Sequence, residues 1–126
     1  MPTIINSDKA PAGIGPYSQA VKTGNLVFLS GQIPIDPATG ELVPGGLAEQ
    51  AQQVFANIKA VLQTAGTSLS NVVKSSVFLA DLNDFAQLNI IYAEHFGEHK
   101  PARSTFQVAA LPKGAKVEIE IIAECP

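Results

Sequence analysis

Cysteine occurs once in the 126 residues, at Cys125. No disulfide can form within the chain, and zinc sites built from four cysteines or from two cysteines and two histidines are excluded. Charge is scarce as well: Asp, Glu, Lys and Arg make up 15% of the residues, against about 25% in ordinary soluble proteins. Eight cations against eleven anions leave a net charge of −3 and a pI near 5.2. With no basic tail and no Lys/Arg run, counterion release has little to work with, which makes nucleic acid an unlikely partner. No apolar run approaches the roughly 20 residues that span a membrane. The segment from Met1 to Lys9 lacks the apolar core of a signal peptide, so the expected location is cytoplasmic, with no membrane partner.

Apolar residues, by contrast, make up 46% of the chain. That is enough for one domain over residues 1–126 with its own core. So few charges cannot cover the surface of a small domain, and burial between subunits is one way to resolve this.

Residues 3–6 read as a short strand, and residues 10–16, with two glycines and two prolines, as a loop. Strands are expected from Tyr17 to Lys22 and from Leu26 to Ser30, joined at Thr23-Gly24-Asn25. Asp36-Pro37-Ala38-Thr39-Gly40 has turn chemistry. Leu47, Ala51, Val54, Phe55, Ile58, Leu62 and Ala65 form one helical stripe that Gly66 would cap. Residues 72–80 are rich in strand formers. Asp81 can cap a second helix with the stripe Phe85, Leu88, Tyr92 and Phe96, ending at Gly97. Strands at 104–110 and 117–124 complete the order β-β-β-α-β-α-β-β. On the last strand Val117, Ile119, Ile121 and Ala123 share one face, and Glu118, Glu120, Ile122 and Glu124 the other. The expected fold is α+β, a sheet with two helices on one face and an open face buried in a homo-oligomer.

Chemistry concentrates near the end. Arg103 precedes a turn that folds back into the strand of Glu118 and Glu120, an arrangement expected to set a cation and an acid in neighbouring strands. A guanidinium clamps a carboxylate with two parallel hydrogen bonds, and a nearby glutamate can orient or deprotonate a water. A small acid that adds water is the implied substrate. The competing reading of Arg103 is an ion pair with Glu118 or Glu120 that only ties strands together.

Six segments in order, Gly15-Pro16-Tyr17-Ser18-Gln19-Ala20, Leu29-Ser30-Gly31-Gln32-Ile33-Pro34, Asn57-Ile58-Lys59-Ala60-Val61-Leu62, Asp81-Leu82-Asn83-Asp84-Phe85, Pro101-Ala102-Arg103-Ser104 and Val117-Glu118-Ile119-Glu120, resemble the Rid (reactive intermediate deaminase, or YjgF) family along nearly the whole chain. The resemblance implies a chorismate-mutase-like fold with a mixed sheet of about six strands, a homotrimer, and sites in the clefts between subunits. It implies hydrolysis of enamines and imines such as 2-aminoacrylate and 2-iminobutanoate to 2-keto acids and ammonia, with no metal and no organic cofactor. By the same resemblance Arg103 holds the substrate carboxylate and Glu118 positions the water; spacing alone does not choose between Glu118 and Glu120. Tyr17 lines or covers the site, Ser30 and Gly31 offer a hydroxyl and a backbone N–H, Asn89 lies near it, and Thr105 occupies a position where some members carry cysteine.

Each has a plainer reading: Tyr17 a half-buried strand tyrosine, Ser30 and Gly31 a strand-end turn, Asn89 a surface amide or helix–strand tether. Cys125 reads as a partly exposed thiol without a role, and His95 and His99 as surface histidines. The rival functions are a keto-acid-binding regulatory trimer without turnover and an endoribonuclease or translation inhibitor.

Overall fold

The structure is a computed structural model and describes residues 2–13 and 15–126, so Ile14, within the expected loop at 10–16, lies outside it, as does Met1. Six strands form one mixed sheet: β1 (Thr3–Ile5), β2 (Ala20–Thr23), β3 (Leu26–Leu29), β4 (Val72–Leu79), β5 (Ala102–Gln107) and β6 (Val117–Glu124). Two helices, α1 (Leu47–Ala65) and α2 (Phe85–Phe96), complete the fold. The spatial order is β1-β2-β3-β6-β4-β5. Only β4 and β5 run parallel, because α2 carries the chain back between them; every other pair is antiparallel.

Local chemistry explains the elements. Thr23 pairs with Leu26, so Gly24-Asn25 is a two-residue hairpin loop, with Gly24 at φ 56°. The turn at Asp36 closes through Gly40 N–H donating to Asp36 O at 2.8 Å. At the start of α1, Glu49 reaches back to accept from Gly46 N–H at 2.7 Å. At its end Gly66 sits at φ 87°, and Thr67 N–H donates to Leu62 O at 3.0 Å. All seven residues of the expected α1 stripe are buried.

Some boundaries differ from the sequence reading. β2 begins at Ala20, not Tyr17, because Gln19 turns its side chain inward to bond the 7–11 loop. β5 runs 102–107 rather than 104–110. Asp81 caps a 3-10 turn, Leu82–Asp84, that leads into α2. On α2 the buried residues are Leu88, Ile91 and Phe96. Tyr92 is half-buried, packed against Phe55 and Phe96 of the core with a guanidinium over its ring, and Phe85 is exposed, its ring against the same guanidinium.

The core lies between the helices and one sheet face. Val117, Ile119, Ile121 and Ala123 of β6 are all within 2% of full burial. The opposite face carries Glu118 and Glu120 together with Phe28 and Phe106, which are 41% and 55% exposed. Cys125 is buried, not partly exposed, with its thiol toward Ala65 O, because Cys125 N–H donates to Asn25 O and holds the last residues against the hairpin. No helix among the described residues is long and apolar enough to cross a membrane.

Candidate active site

Glu118 stands on the open face of β6, beside Phe78 of β4. β6 is tied to the segment after β3 by a reciprocal pair, Gln32 N–H to Ile119 O at 2.8 Å and Ile119 N–H to Gln32 O at 3.1 Å. That pairing lays Gly31 against the Glu118 side chain, so close that a Cβ at position 31 would fall 2.0 Å from Glu118 Oε2. Glycine is required there by contact with the carboxylate. Burial pushes the Glu118 carboxyl above the usual glutamate range, and the neighbouring Glu120 charge pushes it the same way.

A cavity of about 640 Å³ opens here, lined by Tyr17, Ser30, Gly31, Lys113, Glu118 and Glu120 among others. Ser30 Oγ donates to Ser18 O at 2.6 Å and Ser30 N–H to Gln19 O at 2.9 Å, fixing the strand end to the loop that carries Tyr17. Two buried amides that the sequence reading left without a role hold the walls. Gln19 accepts from Ser7 N–H and donates to Ser7 O and Pro11 O. Asn57 on α1, fully buried, donates to Ile33 O at 3.3 Å and Ile35 O at 3.0 Å. Their signal was a polar residue placed among buried positions, which must find partners.

Arg103 lies elsewhere. β5 is not a neighbour of β6: β4 runs between them, two strand spacings or about 10 Å. In register, Arg103 pairs with Ser75, and Ser75 with Ile121, all on the helix side of the sheet. Glu118 and Glu120 point from the other side. The expectation of a cation and an acid in neighbouring strands is therefore corrected: β6 inserts between β3 and β4, and strand alternation puts the two groups on opposite faces.

The Arg103 side chain bonds a neutral amide, Nη1 donating to Asn89 Oδ1 at 2.8 Å. Its guanidinium lies 4.7 Å from the Tyr92 ring centroid and 5.5 Å from that of Phe85. Thr105, two residues along the same face, has its hydroxyl oxygen buried with no hydrogen-bond partner. A hollow of about 440 Å³ is bounded by Leu82, Phe85, Arg103 and Thr105. Arg103, Asn89 and Thr105 thus form one group, and Tyr17, Ser30, Gly31 and Glu118 another.

The histidines belong to neither group. His95 stacks on Phe55 at 4.4 Å, with burial holding its pKa below the ordinary value. His99 Nε2 lies 2.6 Å from Val72 O and ties the loop before β5 to β4. Among the described residues no three of His, Cys, Asp and Glu converge as metal ligands.

Comparison with known proteins follows the same lines. The family model described as endoribonuclease L-PSP matches residues 7–125. A RutC family protein of Pyrococcus abyssi is 57% identical over 120 residues, 95% of this chain and 94% of that protein. The 2-iminobutanoate/2-iminopropanoate deaminase of Bos taurus is 55% identical over 120 residues, 95% of this chain and 88% of that protein. The crystal structure of E. coli TdcF with bound serine superposes with a TM-score of 0.92 at 48% identity, covering 97% of this chain and 98% of that one. A match over nearly the whole chain, at half identity and with the same sheet and helices, establishes that the chain belongs to the Rid/YjgF family, the family described as endoribonuclease L-PSP.

Proposed function

We propose that the protein is a hydrolytic deaminase of short enamine and imine intermediates, 2-aminoacrylate and 2-iminobutanoate, releasing 2-keto acids and ammonia. Relatives at 51–55% identity named 2-iminobutanoate/2-iminopropanoate deaminase support this reading. The observation that carries it is the placing of two groups: a guanidinium with unused donors on one face of the sheet, and a half-buried carboxyl, raised above the usual glutamate range, in a cavity on the other. One protomer cannot bring them together. Copies of the chain packed around their open sheet faces, in the proposed homotrimer, set Arg103 of one against Glu118 of the next. The exposed apolar side chains Phe28 and Phe106 on that face support such packing.

In this scheme Arg103 grips the substrate carboxylate through the donors Asn89 leaves free, helped by the backbone N–H of Gly31. Lysine, a point charge, would replace it poorly. Glu118 orients a water against the C=N carbon and takes its proton as the C–O bond forms and the C=N electron pair moves to nitrogen. The carbinolamine results. Glu118 returns the proton to nitrogen, the hydroxyl proton follows it there, and the C–N bond breaks as the oxygen electron pair closes the carbonyl and ammonia leaves. A carboxyl raised above its usual range suits both steps better than an ordinary glutamate. Positioning and water exclusion supply most of the acceleration.

Coupling threonine dehydratase to the protein and following keto-acid formation tests the scheme. Arg103→Ala is expected to abolish the acceleration; wild-type acceleration by that variant sinks it. The endoribonuclease description of the family makes RNA cleavage the rival reading. The two glutamates in the cavity and the net charge of −3 disfavour a polyanion there.

A further inference from the structure

Arginine is a long, flexible side chain, and holding it in one geometry costs conformational entropy. A clamp that works by positioning therefore needs something to hold the clamp. Phe85, Asn89 and Tyr92 follow one another along one stripe of α2 and all reach Arg103. Tyr92 makes the closest ring contact, 4.7 Å from ring centroid to guanidinium carbon. Its ring is itself fixed on three sides. Phe96 packs at 4.5 Å, Phe55 meets it edge-on at 5.9 Å, and its hydroxyl lies 2.6 Å from Ser75 Oγ. Ser75 is fully buried and stands directly beside Arg103 in the β4–β5 register. A buried serine on a core strand spends its only hydroxyl on this ring.

We propose that Tyr92, pinned by Ser75, is a positioning residue that holds the Arg103 guanidinium in its carboxylate-binding orientation. The inference rests on the reading of Arg103 as the carboxylate clamp. The ring face offers its negative quadrupole to the cation in a half-buried setting, where such contacts are strongest, while leaving the N–H edges free for a ligand. The Ser75 bond anchors the hydroxyl end of the ring, and Phe55 and Phe96 packed against it stop the ring from turning its edge to the guanidinium.

The test measures KM for 2-iminobutanoate generated in situ and Kd for 2-oxobutanoate by calorimetry. Tyr92→Leu is expected to raise both about tenfold, with kcat changed little, because the reacting end of the site is untouched. Tyr92→Phe and Ser75→Ala delete the same bond. Each is expected to raise Kd by about threefold, and the double variant by no more than either alone. In an Arg103→Ala background Tyr92→Leu is expected to leave the weakened Kd for 2-oxobutanoate unchanged, whereas a merely structural role would raise it further. Wild-type KM and Kd in Tyr92→Leu, or a further loss in the Arg103→Ala background, overturns the proposal. If Tyr92→Leu fails to fold by circular dichroism, unchanged Kd in both Tyr92→Phe and Ser75→Ala overturns it instead. Full activity of Arg103→Ala defeats the clamp reading itself. An inactive Arg103→Ala beside a wild-type-like Tyr92→Leu defeats only the positioning role.

Discussion

Because Arg103 and Glu118 leave opposite faces of one sheet, with β4 between their strands, two inactive variants should rescue each other. Take Arg103→Ala and Glu118→Gln, each silent alone, unfold them together in equal amounts and refold. In a closed ring with head-to-tail interfaces, each site draws its arginine from one subunit and its glutamate from the next. The arginine donor is intact when it is the Glu118→Gln chain, and the glutamate donor is intact when it is the Arg103→Ala chain. Random assembly meets both conditions in about a quarter of sites, leaves half with one defect and about a quarter with both. The coupled threonine dehydratase assay should therefore recover about 25% of the wild-type rate per site, from parents each at background. Had the two groups met within one protomer, every chain would carry a broken site and mixing would recover nothing. Background activity in a mixture shown by native mass spectrometry to contain hybrid oligomers would refute the shared-site geometry.

Other consequences follow from particular contacts. Gly31→Ala drives a Cβ into the Glu118 carboxyl, 2.0 Å from Oε2 and 2.8 Å from Cδ; since the carboxyl is the mobile end of its side chain, the fold should survive while kcat falls about a hundredfold, and a wild-type kcat would show that the carboxyl's position is unimportant. Glu118→Gln should abolish turnover yet retain 2-oxobutanoate binding, whereas Glu120→Gln should stay active with the acid limb of its kcat profile moved to lower pH, because the charge that helps raise Glu118 is gone; loss confined to the Glu120 variant reverses the assignment. The raised carboxyl also has a stability sign: the native state holds the proton more tightly than the unfolded chain, so ionisation weakens the fold as pH rises from the unfolded pKa through the folded one. Glu118→Gln should accordingly raise Tm near about pH 7 and not near about pH 3, and a lower Tm at neutral pH would contradict the burial argument. Asn57→Ala leaves Ile35 O without its donor and Ile33 O with the Ile35 N–H alone, and should cost about 1–3 kcal/mol in urea unfolding; less than about 0.5 kcal/mol would mean water replaces the amide freely.

Much of the fold was legible because its signals are local. The α1 stripe from Leu47 to Ala65 repeats with the helical period, and all of it is buried. Gly66 ends that helix for a steric reason that needs no knowledge of the rest of the chain. Alternation on β6 separated Val117, Ile119, Ile121 and Ala123 from the two glutamates, as observed. The α2 stripe was less legible. Phe85 and Tyr92 read as core; Tyr92 does pack on it, but both rings also meet Arg103, which the next strand brings against them, and Phe85 is left exposed. Cys125 read as partly exposed because its burial depends on Ala65 and Asn25, far off in sequence.

By itself, then, the sequence determined the element order, the glycine caps that end the helices, the split of β6 into an apolar and an acidic face, and the residues able to carry the chemistry. Periodicity and turn sterics act over a few residues, so they can be read from a few residues. The tertiary structure alone decided that β6 lies between β3 and β4, that β5 joins β4 in parallel, and hence that Arg103 faces the helices while Glu118 faces away from them. Strand alternation fixes which residues of one strand share a face, but it says nothing about how the faces of two strands relate until pairing and register bring them together.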